Sequence, residues 1–94
     1  MSPNELILIS LNNILKKMGY TTSVLLNPEH LLEVFVTNAR SRSCTISLWP
    51  KGGAHGFYVS EVNPDGMSGY LLKFVLADSA CVDNVLETVE SYLE

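Results

Sequence analysis

Basic side chains are scarce in this chain of 94 residues: six Lys and Arg stand against ten Asp and Glu, for a net charge of −4. Phosphate backbones are bound by clustered cations, so a field of this sign disfavours nucleic acid as the partner. Charge of either sign is thin, at 17% of residues, where an average soluble domain carries about 25%. There are only two cysteines, Cys44 and Cys81, far apart and outside any C-x-x-C. That excludes a disulfide scaffold and thioredoxin-like redox chemistry, and leaves two buried thiols as the expectation. No apolar run approaches the ~20 residues of a membrane helix. The start, Met1-Ser2-Pro3-Asn4-Glu5, has no basic segment of the signal-peptide kind, and no lipidation signal is found. The expected location is therefore the cytoplasm, of the cell or of an infected host, with no membrane partner.

What is present is an apolar content of 47% laid out with clear periodicity. Ser2, Pro3 and Glu5 have the spacing of a capping box, and Ile7, Leu11, Ile14, Leu15 and Met18 follow at three- and four-residue steps. With Lys16 and Lys17 in the last turn and Gly19 as a left-handed stop, a helix over Pro3–Met18 is predicted. From Tyr20 to Ala77 the pattern turns to β. Five strands are expected, at Thr21–Leu26, Leu31–Thr37, Cys44–Trp49, Phe57–Val62 and Tyr70–Ala77. The denser apolar content of the last one predicts a central or doubly covered position. Asp78 or Ser79 then caps a helix whose Val82, Val85, Leu86, Val89 and Leu93 share a face. Short strands joined by short turns pair with their sequence neighbours. The expected fold is α+β in two layers, one domain over residues 1–94: helix, five-stranded antiparallel meander, helix, with both helices on one sheet face.

Charge is divided unevenly along the chain, +2 over residues 1–51 and −6 over residues 52–94. Asp83, Glu87, Glu90 and Glu94 form an acidic stripe opposite the apolar face of the last helix. Glu90 and Glu94 crowd the negative end of the helix dipole, with no Lys or Arg four residues away to offset them. A solvated face is the plain explanation, and a basic partner surface is the sharper one. The outward side of the sheet offers a second surface, with Phe35, Trp49 and Tyr58 as aromatic anchors.

The loop Lys51-Gly52-Gly53-Ala54-His55-Gly56 has the letters of a phosphate cradle or a histidine acid–base, but not the spacing. It reads most simply as a flexible hairpin loop, and a loop that orders on binding fits the same letters. His30, Cys44, His55 and Cys81 have zinc-ligand chemistry without a local knuckle, so neither a metal nor any other cofactor is expected. Arg40-Ser41-Arg42 is a small basic cluster on a turn, too sparse for an RNA-binding sheet. No nucleophile elbow or comparable signature is present, so an enzyme is not expected.

In size, acidity and helix–sheet–helix build, the chain resembles immunity and antitoxin-like factors and phage-encoded blockers of host defence, the anti-CRISPR proteins among them. The resemblance is architectural and maps no residue. It implies a small inhibitor that occupies another protein's basic surface, with the acidic stripe and with Trp49 or the glycine loop as anchor. A second expectation is a homodimeric adaptor, similar to the small secretion chaperones, whose sheet face pairs with a second copy or captures a peptide. A third is a small-molecule binder or enzyme centred on His55.

Overall fold

The computed structural model describes residues 3–26, 31–49, 56–66 and 68–94. The elements run α1 (Pro3–Lys17), β1 (Thr21–Leu26), β2 (Leu32–Thr37), β3 (Ser43–Trp49), β4 (Gly56–Val62), β5 (Ser68–Leu76) and α2 (Cys81–Leu93). The strands form one antiparallel sheet in the order β1-β2-β3-β4-β5. This is the expected α+β meander between two helices, and both helices lie on one face of the sheet.

Alternation decides which side is covered. Val34 and Val36 of β2 stand opposite Ile46 and Cys44 of β3, Ile46 stands opposite Val59, and Phe57 opposite Val75. All of these are at most 3% exposed and pack with Leu8, Leu11 and Leu15 of α1 and Val85, Val89 and Leu93 of α2. α1 lies over β1–β3 and α2 over β3–β5. Removing this much apolar surface from water is the main source of stability, at roughly 1.5–3 kcal/mol for each fully buried side chain.

α1 ends as its sequence demands. Gly19 takes φ +99°, and the N–H groups of Gly19 and Tyr20 donate to the carbonyls of Lys16 and Leu15 at 3.1 and 3.2 Å. These two bonds are the Schellman pair, which needs a residue at ease in the left-handed region. The buried line of α1 is Leu8, Leu11, Asn12 and Leu15. It is rotated from the expected stripe, for Met18, just past the end of the helix, is exposed and Leu8 is fully buried. The capping Ser2 lies outside the described residues.

Three further expectations are corrected. β5 is an edge strand, not a central one. Its apolar surplus is spent outward, with Tyr70, Leu71 and Leu76 exposed while Leu72 and Val75 serve the core. Its bounds shift as well, because pairing with β4 extends down to Ser68 and ends at Leu76. At the start of α2 the cap residue is Ala80, with no side-chain cap. The Asp78 carboxylate instead accepts the Ala80 N–H at 2.9 Å, closing the preceding turn.

Candidate functional site

The acidic stripe stands on the outward side of α2, opposite the buried Cys81, Val85, Val89 and Leu93. Asp83, Glu87 and Glu94 are exposed and Glu90 is half-buried. No cation is paired with any of the four among the described residues. Glu90 and Glu94 lie close enough to Tyr20 to act on its phenol, whose pKa is raised by burial first and by these two carboxylates next.

The carbonyl end of α2 is met from a different element. Asn38, in the β2–β3 turn, donates its side-chain N–H to the Leu93 carbonyl. Its Oδ1 accepts the backbone N–H groups of Arg40 and Arg42 at 3.0 and 2.9 Å. A side-chain amide that reproduces backbone turn bonds suits this position, where Ser41 must take φ +64°. The turn in this way brings the Arg42 guanidinium to 4.2 Å from the centre of the Tyr92 ring, in the geometry of a cation–π contact. The Tyr92 hydroxyl reaches Glu61 Oε2 at 3.4 Å, and Glu61 Oε1 accepts the Tyr70 N–H at 3.1 Å. Arg42, Tyr92 and Glu61 thereby join a turn, a helix and the sheet. A cleft of about 430 Å³ opens beside them, between the β2–β3 and β4–β5 turns, walled by Phe35, Ser43, Asn63 and Tyr92.

On the outward face of the sheet, Tyr58 leans against Phe74, with ring centres 4.8 Å apart at 48°. Gly56 belongs to this group. A Cβ there would lie 2.5 Å from the Val75 carbonyl oxygen and 2.6 Å from the Phe74 ring. Phe35 is half-buried and pairs in register with Thr45, which is buried. Neither helix covers this face, so Phe35 and Tyr58 share an open surface, partly filled by its own rings. The backbone of Trp49 closes β3 opposite Gly56. The Trp49 side chain, His30, His55 and the rest of the glycine loop before Gly56 lie outside the described residues.

Cys44 and Cys81 are both free and buried. Burial pushes the Cys44 thiol up to about 12. The Cys81 thiol is raised by burial and by Asp78, against backbone N–H bonds that lower it. A thiol held protonated is a poor nucleophile and a poor metal ligand. Among the described residues no cluster of His, Cys, Asp and Glu could hold a metal ion, and no helix is long and apolar enough to cross a membrane.

The acidic stripe was legible in the sequence, because helical spacing alone groups it. Asn38 was not singled out, although Asn before a polar turn is a signal for a side-chain-closed turn. Nothing local announces Glu61 and Tyr92, which are far apart in sequence and meet only across the folded layers. No protein-family model, curated protein or solved structure matches this chain.

Proposed function

We propose that the chain is a small acidic protein-binding module, not an enzyme, that inhibits a partner protein by occupying its basic surface. It would act in the cytoplasm, of its own cell or of an infected host, in the manner of an immunity or antitoxin-like factor or an anti-CRISPR-like blocker. The observation that carries the reading is the outward row Asp83, Glu87, Glu90 and Glu94 on α2, paired with no cation among the described residues and placed partly at the helix end that least suits it. An unopposed row of carboxylates steers association with a positive surface, and steering of this kind is screened by salt. Light scattering on a sizing column, with the chain alone and with lysate of its native host, tests this. The expected result is a heavier, salt-sensitive complex whose second component has a basic surface. An unshifted mass at low salt, or a complex indifferent to salt, contradicts it.

A second reading, the homodimeric adaptor or secretion-chaperone-like peptide binder, draws support from the open sheet face that carries Phe35 and Tyr58. There Trp49→Ala should yield monomers, and an unchanged dimer mass counts against that face.

A further inference from the structure

The two ends of a sheet expose rows of unpaired backbone N–H and C=O groups, and proteins usually blunt them with charge, proline, bulges or a cover. β5 is blunted. Its register against β4 shifts twice, between Val59 and Ser60 and between Ser60 and Val62, and it carries the exposed Lys73. Among the described residues β1 has none of these devices. Thr21–Leu26 contains no charge, proline or glycine, and its six pairs with β2 run without a register shift. Among the described residues no strand lies on its other side. Its apolar side chains are left in water, with Val24 40%, Leu25 49% and Leu26 64% exposed.

We propose that the free edge of β1 pairs antiparallel with β1 of a second copy, giving a continuous ten-stranded sheet about a two-fold axis. Three features single out a second copy as the occupant. First, the strand is self-complementary. With the axis at Val24, Val24 meets its own image, Thr22 meets Leu26, and Ser23 meets Leu25. Residues directly opposite in an antiparallel pair share a face, so the four helices would all stand on one side. Val24 and Leu26 face the same side as Val34 and Leu32, their partners in β2, and would extend the core across the axis.

Second, charge distribution selects this edge over the other. The −6 of residues 52–94 lies on β4, β5 and α2, on the turns that join them and on Glu94, whereas β1 belongs to the half that carries +2. Pairing through β1 keeps β4, β5 and the first turns of α2 away from their images in the second copy, while pairing through β5 would press them together. Third, an uncharged, unbulged strand presents a second copy with no charge to desolvate, and the new ladder satisfies its free backbone groups. Both acidic stripes would remain outward on such a dimer, so the dimer would be bivalent for a basic partner.

The test is the solution mass at high micromolar concentration, with hydrogen exchange of the β1 amides. The wild-type chain should run at twice the 10.4 kDa of the monomer, with the β1 amides protected. Leu25→Lys should return it to monomer mass with its far-UV circular dichroism unchanged, and Val24→Lys should do the same should either variant alone fold poorly. Tyr70→Lys, on the other edge, should leave the dimer intact. A wild-type monomer at every concentration overturns the proposal, as does a dimer that survives both β1 lysines or is lost in Tyr70→Lys. A ladder of higher masses also overturns it, because it signals head-to-tail pairing of β1 with β5. Reversing the charges of Glu87, Glu90 and Glu94 should not alter the dimer mass, so failure here is separable from failure of the acidic-stripe reading.

Discussion

The two helices of this protein follow different rules. α1 is locally consistent: Glu5 lies in its first turn, Lys16 and Lys17 in its last, and Gly19 closes it with both Schellman bonds. α2 starts at Ala80 without a side-chain cap and has no basic residue in its last turn. Glu90 and Glu94 sit at its negative end, an arrangement that costs a few tenths of a kcal/mol up to about 1. What α2 has instead is support from elsewhere: Asn38 at the Leu93 carbonyl, Arg42 over Tyr92, and a fully buried Val85 and Val89. Burial and distant partners hold the helix, which frees its outer face to carry charge that local physics disfavours. Departures from local rules concentrate at functional surfaces, and that ties the comparison to the proposed binding role.

Substitutions in the buried faces should show the helices to be equals in the core. Leu11→Ala in α1 and Leu93→Ala in α2 are each expected to cost roughly 2–5 kcal/mol in urea unfolding. A much smaller loss at Leu93 would mean that α2 is loosely docked. High pH should act on both halves of the core through Cys44. Its folded pKa of about 12 lies above the ordinary 9.0, so the unfolded chain loses that proton first. The contribution is fully present below pH 9 and disappears as pH rises toward 12. Melting temperatures across that window should fall more steeply for the wild type than for Cys44→Ala.

Removing the borrowed support should separate the helices. Asn38→Ala is expected to cost about 1–2 kcal/mol, since it opens the turn and uncaps α2 together. Amide exchange should speed up in the last turn of α2 and stay unchanged in α1. Gly19→Ala is the counterpart, expected to cost about 1–2 kcal/mol because a Cβ is strained at positive φ. Nothing lies within 4 Å of a Cβ placed there, so the cost is conformational alone.

Much of this organisation was legible in the sequence. The strands are short and alternate cleanly, as in Leu32-Glu33-Val34-Phe35-Val36-Thr37, and their turns are polar, so the meander and its covered face follow from period and punctuation. The place of β5 was not legible, because Tyr70, Leu71 and Leu76 look like core residues until the strand order shows them at an edge. Asn12 was equally hidden: it occupies a buried position of α1, 7% exposed, with Oδ1 unpartnered among the described residues. Of the candidate surfaces, the acidic stripe could be read from helical spacing. The contacts that restrain its end could not, since Asn38, Arg42 and Glu61 reach α2 only through the packing of layers.

The smallest expected effect bears most directly on function. Glu90→Lys and Glu94→Lys should each stabilise the chain by a few tenths of a kcal/mol, by placing cations where the helix dipole favours them. A face kept acidic for binding should therefore gain stability when its charges are reversed, and lose its partner at the same time.

The decisive measurement is made on the variant Glu87→Lys, Glu90→Lys, Glu94→Lys beside the wild type, recording melting temperature and capture of the basic partner in the same buffer. The account predicts a melting temperature equal to or above that of the wild type, together with loss of the complex. A variant that folds as well and still forms the complex with unchanged affinity would contradict it.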